Sequence, residues 1–194
     1  MITLPPGVQL VLASASARRS QLLARAGVDF EVRAADIDES PQSGERPAEY
    51  VRRLASEKGD AVMRPGDLVL SADTTVDIDG EILEKPTDDA DVERMLRLLS
   101  GRAHDVHTGV RVAGRGTDRL AVVTTQVVFV ELTSEMIDWY VATGDGLGKA
   151  GAYGIQGAAG AFVRRVEGSV TNVIGLPMAE TIAMLRLALA PSGC

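Results

Sequence analysis

Apolar and polar positions repeat along this chain with periods that change from block to block, and each period predicts an element. VQLVLAS, Val8 to Ser14, is a short apolar run of the kind that forms a buried strand. RRSQLLARAG follows with helical spacing and ends at Gly27, a residue suited to the left-handed position after a helix. DFEVRAADIDES predicts a return strand and then a polar loop. RPAEYVRRLASEKGDAVMR is a stronger amphipathic helix with Pro47 near its first turn, and Val51, Leu54, Ala55 and Val62 make its apolar face. Lys58 falls on that same face. Two readings are open for it: an amine snorkelling from the edge of the face, or a cation aimed into a cleft.

DLVLSA is the next strand, and Asp79-Gly80 between TVDI and EILE predicts a tight hairpin. Thr87 is the expected cap of a helix DDADVERMLRLLSG, which carries acids in its first turn, a core stripe of Met95, Leu96 and Leu99, and Gly101 past its end. HDVHTGVRVAG and RLAVVTTQVVFVEL alternate and, joined by RGTD, predict an antiparallel pair. Thr133 opens the helix SEMIDWYVATG. A glycine-dense loop, a strand GAFVRRVEG and a final helix from Pro177 complete the chain. The expectation is α/β or α+β with a mixed sheet, over residues 1–194 as one domain or as one domain with two lobes around a cleft.

Composition narrows the function. Apolar residues make up 45% of 194 and charged ones 24%, which suits a packed core. The net charge of −7 argues against a nucleic-acid-binding face, while a small phosphorylated ligand needs only a few cations gathered locally, or a metal ion. Cys194 is the only cysteine, so no intrachain disulfide is expected. No basic, apolar leader and no run of about 20 apolar residues is visible, so the expected location is the cytoplasm, with no membrane partner.

Four stretches can carry chemistry. In LASASARRSQLL, a strand enters a hydroxyl-rich turn and then a helix starting with Arg18 and Arg19. Free N–H groups, Ser14, Ser16 and the guanidinium groups can hold phosphate, or a serine can simply cap the helix. In LVLSADTTVDIDGEILEKP, an apolar strand ends in Asp73. A haloacid-dehalogenase-type DxDxT reading fails, because the first acid would have to stand at Ser71. A general base, a metal ligand or a strand-end cap remain for Asp73. Asp36, Asp38 and Glu39 form an acidic loop, one of whose members can join Asp73 at a Mg²⁺ or Mn²⁺ ion. GKAGAYGIQG permits close backbone approach to a ligand, and Gln156 in it can read a base edge. His104 and His107 face opposite sides of their strand and are expected to be structural.

Taken in order, LASASARRSQLL, SADTTVDIDGEILEKP, LSGRAHDVHTGV, GKAGAYGIQG and NVIGLP resemble the Maf family of nucleoside triphosphate pyrophosphatases, from about Gln9 to about Leu187. The resemblance implies an elongated mixed sheet with two lobes, similar to inosine triphosphate pyrophosphatases. It also implies an enzyme that cleaves between the α and β phosphates, a divalent cation, a homodimer, and for bacterial members a link to septum formation. By the same resemblance Asp73 is the catalytic acid, Glu39 and Asp73 are the metal carboxylates, and Ser14, Ser16, Arg19, Lys58 and Lys85 face phosphate. Arg18, Thr74 and Gln156 match the specificity positions of the dTTP/UTP branch. Alternatives are the same chemistry on another base such as 7-methyl-GTP, or a nucleotide-sensing regulator with slow turnover. Two departures stand out: Ala17 replaces the proline of SPRR, and Gly146 and Gly148 stand where EPxDKAG is usual. Restoring proline and aspartate at those two glycines is expected to raise affinity if the loop matters.

Overall fold

The computed structural model describes residues 2–190; Cys194 lies outside them. The elements in order are β1 (Leu10–Leu12), α1 (Ala17–Arg25), β2 (Glu31–Val32), α2 (Pro47–Val62), β3 (Leu68–Ile78), β4 (Glu81–Leu83), α3 (Asp89–Leu99), β5 (Ala103–Gly114), β6 (Thr117–Phe129), α4 (Ser134–Ala142), β7 (Val163–Glu167), α5 (Val170–Ile174) and α6 (Met178–Leu189). They form one mixed sheet in the order β2-β1-β3-β5-β6-β7, with β4 also on β3. β1 runs parallel to β2 and β3, and every other pairing is antiparallel.

Four local expectations change. DLVLSA and TVDI are one continuous strand, because β5 pairs with β3 without interruption from Val69 to Asp77. The return strand after α1 shrinks to Glu31–Val32, both exposed, with one further backbone bond from the Arg33 N–H to the Leu12 carbonyl at 3.0 Å. The cap of α3 is Asp88, not Thr87: its carboxylate accepts from the Asp91 N–H at 2.8 Å, and Asp91 returns a bond from the Thr87 N–H at 3.2 Å. α5 is an additional short helix, started by the Ser169 side chain. Both predicted hairpins close on positive-φ pairs, Asp79-Gly80 and Arg115-Gly116, which give the turn the twist of its strands.

Two features of β3 open a cleft. β1 pairs with its first residues, Leu68–Leu70, and β4 with its last, Val76–Ile78, on the same edge. Among the described residues, the edge between them, from Ser71 to Thr75, has no strand neighbour. On the face of the even-numbered residues, Leu68, Leu70 and Ala72 join Val110, Val112, Leu23 and Leu185 in one apolar cluster. Farther along that face, Val76 and Ile78 join Val106, Leu96, Phe129 and Tyr140 in another. Between the two clusters stand Thr74 and its cross-strand partner Thr108. The hydrophobic stripe thus breaks at two paired hydroxyls, and the molecule has a lobe on either side of that break.

α2 covers the opposite face. Its Val51, Leu54, Ala55 and Val62 are buried, as the sequence pattern requires. Gly109 allows it to lie close, since a Cβ there would collide with the Val51 carbonyl. Gly59 does the same at Ser71, whose hydroxyl donates to the Ala55 carbonyl at 2.5 Å. This contact is what carries Lys58 to the middle of β3.

Candidate active site

The break between the lobes is a cleft of about 660 Å³. It is lined by the β1–α1 turn, the centre of β3, Glu39, Lys58 and Lys85. Segments 148–150 and 153–157 and the turn at Gly175 complete its walls. Every site residue named from sequence lies along it.

At its floor, Lys58 and Asp73 are almost fully buried, 7% and 6% exposed. The Lys58 ammonium donates to Asp73 Oδ1 at 2.6 Å and pairs with Glu39 Oε1 at 2.8 Å. Lys85, exposed at the rim, reaches Glu39 Oε2 at 3.2 Å. Lys58 is therefore a cation in the cleft and not a snorkelling edge residue. A buried charge here is tolerable because it is shared by two opposite charges. Burial pushes the Glu39 carboxyl up, but the bonds and charges of Lys58 and Lys85 outweigh this and hold it below the usual value. Of the acidic loop only Glu39 reaches the site; Asp36 and Asp38 are exposed, and Asp38 accepts from the Ser40 N–H.

The oxygens of Glu39 and Asp73 converge on the Lys58 ammonium, and carboxylate oxygens are the hard ligands a divalent cation takes. Among the described residues no cluster of three or more metal-ligating side chains exists. Two carboxylates are enough for Mg²⁺ or Mn²⁺ when phosphate and water supply the remaining oxygens.

One wall is the start of α1. Ser16 is its N-cap residue, but its side chain makes no capping bond, so its hydroxyl and the first-turn N–H groups are free for a ligand. Ser14 is buried and accepts from Arg19 Nη1 at 3.0 Å and from the Ser16 N–H at 3.2 Å. Arg19 is buried too, donating through Nε to the Gly175 carbonyl at 2.7 Å and through Nη2 to Thr74 Oγ1 at 3.1 Å. Burial lowers its pKa, with the charge of Asp73 opposing that shift. Arg19 thus ties together three walls. Arg18, beside it, is half-buried and has no hydrogen-bond or ion-pair partner among the described residues.

The far wall holds groups that the sequence reading did not single out. Lys149 pairs with Asp145 at 2.9 Å and also donates to its carbonyl. Asp145 lies close against Gly157, where any Cβ would strike its carboxylate. Exposed Gln156 stands next to this pair on the cleft wall. The signal was present in GKAG, but a lysine in a glycine-dense loop has no periodicity to mark it. Asn172 and Gly175, in NVIGLP, likewise carry no pattern in the sequence that marks a role.

The two glycine departures separate here. A Cβ at Gly146 would lie 2.8 Å from Val92 Cγ1 and 2.9 Å from the Ala152 carbonyl, so proline there requires α3 to yield. Gly148 has φ of 71° and open space around it, and aspartate tolerates that conformation better than most side chains. Space is free only at Gly148, where the positive φ still strains an added side chain, so restoring either residue carries a structural cost.

His104 and His107 do point to opposite faces and serve structure. His104 Nε2 bonds Tyr153 Oη at 2.9 Å, and His107 bridges Thr124 and Asp77 at 2.8 and 3.1 Å.

A dTTP/UTP pyrophosphatase of Anaeromyxobacter dehalogenans (strain 2CP-1 / ATCC BAA-258) is 55% identical over 93% of this chain and 94% of its own. One of Myxococcus xanthus is 53% identical over 94% and 93%. The Ham1 protein of Staphylococcus aureus overlays with a TM-score of 0.44 at 16% identity, covering 62% of this chain and 71% of that one. Residues 9–188 match the family described as Maf-like protein, and the chain belongs to that family.

Proposed function

We propose that this protein hydrolyses dTTP and UTP to the nucleoside monophosphate and pyrophosphate. The observation that carries the reading is the buried Lys58 shared by Asp73 and Glu39 on the floor of a cleft that begins at a helix N-terminus. The names of relatives more than half identical to this chain support the choice of substrate.

In this reading the first turn of α1, with Ser14, Ser16 and Arg19, holds the phosphate chain together with Lys58 and Lys85. Asp73 takes a proton from the water that attacks the α-phosphorus. The α–β bridging bond breaks, and pyrophosphate leaves with the bridging oxygen. Lys58 keeps Asp73 aimed. Glu39 and Asp73 would hold Mg²⁺ or Mn²⁺, which would neutralise phosphate charge and make water easier to deprotonate. Arg18, Thr74 and Gln156 discriminate the base. The local cations offset a chain charge of −7 that would otherwise repel a tetra-anion. A cytoplasmic homodimer belongs to the same reading, and sedimentation of the purified protein tests the dimer.

The test is a panel of nucleoside triphosphates with Mg²⁺ or Mn²⁺, with pyrophosphate and orthophosphate measured separately. Pyrophosphate release led by dTTP or UTP, reduced about 10²–10⁴-fold in Asp73→Asn, is expected. Orthophosphate as the first product, or full activity in Asp73→Asn, would overturn it.

A further inference from the structure

Glu39 sits in the middle of residues 33–46, which form neither strand nor helix, so its backbone needs another support. α2 supplies it. Tyr50 Oη donates to the Glu39 carbonyl at 2.9 Å. Three residues on, and so on the same side of the helix, Arg53 Nη2 donates to the Ser40 carbonyl at 3.1 Å. The same guanidinium holds the Glu45 carboxylate through Nε and Nη2, both at 2.7 Å, and Glu57 through Nη1 at 3.1 Å. It also lies over the Tyr50 ring, 5.7 Å from its centre. Ile37 packs against the cluster of Tyr50, Val51 and Leu54. The loop is thus pinned to α2 just before Glu39, at Glu39 and just after it.

Tyr50 is buried, and that burial, with the charges of Asp73, Glu84 and Glu39 added, pushes its phenol pKa up. It therefore stays a hydrogen-bond donor. Neither Tyr50 nor Arg53 lines the main cleft. The Glu39 carboxylate itself is tied to Lys58 and Lys85, the two ammonium groups that turn to phosphate in the proposed reaction. A carboxylate on a three-torsion side chain then keeps its place only if its backbone is fixed by other groups. Tyr50 and Arg53 hold the backbone and not the carboxylate, so phosphate does not compete for them.

We propose that Tyr50 and Arg53 are positioning residues that clamp the backbone at Glu39 and Ser40 and so aim the Glu39 carboxylate at the divalent cation it shares with Asp73. The inference rests on the proposed function for the metal at Glu39. It adds that one helix sets both halves of the cleft floor: α2 carries Lys58 to Asp73 and fixes the loop that presents Glu39. Groups that orient a metal ligand typically govern metal affinity by about 10–100-fold.

Tyr50→Phe removes the hydroxyl and keeps the buried ring. Arg53→Lys keeps a charge but cannot bond Glu45 through two nitrogens and the Ser40 carbonyl as well. Each is made alone and in a Glu39→Gln background. Two readouts are taken: Mn²⁺ affinity of the protein alone, from the paramagnetic resonance signal of free Mn²⁺, and the Mn²⁺ dependence of pyrophosphate release from UTP. Expected is an affinity loss of about 10-fold in each single variant, with kcat recovering at high Mn²⁺. In Glu39→Gln, already weakened, neither substitution should lower the affinity further, because the clamp acts through Glu39. Unchanged affinity in either single variant, an equal loss in the Glu39→Gln background, a kcat that excess Mn²⁺ does not restore, or a wild type that binds Mn²⁺ no better than Glu39→Gln overturns the inference. If Mn²⁺ binding follows the expected pattern and no triphosphate releases pyrophosphate, the clamp stands and the proposed reaction fails.

Discussion

Lys58 bonds both carboxylates of the cleft floor, Asp73 Oδ1 at 2.6 Å and Glu39 Oε1 at 2.8 Å, while Glu39 has a second cation in Lys85. Replacing it with methionine keeps the stem and leaves Asp73 buried without its partner. Removing one member of a buried ion pair typically costs about 3–5 kcal/mol. Urea denaturation of Lys58→Met should show a loss of that order at neutral pH, and a stability equal to wild type would mean the pair is not formed. His104 makes a second residue-scale case. Burial against Phe129 and Tyr153 lowers its pKa to about 4, so it is neutral in the folded protein. The unfolded chain takes up that proton below about pH 6.5. Stability from this group is therefore complete above pH 6.5 and is lost as pH falls toward 4. His104→Gln should flatten the stability–pH curve in that window by about one proton, and an unchanged slope there would count against a buried neutral imidazole. Single residues also show what the sequence made legible. Asp73 was visible because an acid ending an apolar strand must be paired or used, and Lys58 because a charge interrupted an apolar face. Thr108 carried no such conflict, and only pairing across β3 and β5 brings it to Thr74.

Elements were legible where their period was local. α2 and α3 read correctly from their apolar stripes, and both hairpins from dipeptides whose positive φ shows in the chain. The continuity of β3 was not legible, because its polar centre breaks the alternation and only β5 alongside it keeps the strand straight. The approach of α2 to the sheet was equally hidden, since a glycine on a strand looks like a weakness until the helix above it is known. Gly109 pairs with Asp73 across the sheet and touches the backbone of Val51. Gly109→Ala would push backbone against backbone, which no rotamer can relieve. We expect a loss of about 1–3 kcal/mol in stability. Because α2 must lift to admit the methyl group, Lys58 moves from Asp73 and kcat should fall with it. An alanine variant with native stability and turnover would show that the helix has room to spare. Gly116→Ala, in the β5–β6 turn, is the comparison for turnover: its positive φ costs the turn some stability, but the methyl meets no neighbouring atom and should leave turnover intact.

At the scale of the whole molecule, the two apolar clusters do not merge across the cleft, so the lobes are joined there mainly by the long strands and by the hydrogen bonds of Arg19, Thr74 and Thr108. A ligand that touches both walls adds the contacts the core leaves out. The start of α1 stands on one side and the segment with Lys149 and Gln156 on the other. Nucleotide should therefore bind the folded chain alone and stabilise it by mass action, about 2.7 kcal/mol at a hundred times Kd. For a chain of this length that corresponds to roughly 5–10 °C in Tm. Asp73→Asn with UTP gives the cleanest measurement, because the substrate survives the scan. Pyrophosphate and UMP, each at a hundred times its own Kd, should both stabilise, but only UTP bridges the walls. Its affinity should exceed that of either fragment, including pyrophosphate, whose charge is close to its own. Gln156→Ala should weaken UTP and UMP together and leave pyrophosphate untouched. If Gln156→Ala instead weakens pyrophosphate as much as UMP, the base and the phosphates lie the other way round in the cleft. The α1 wall would then read the base, and the Lys149 wall would hold the charge.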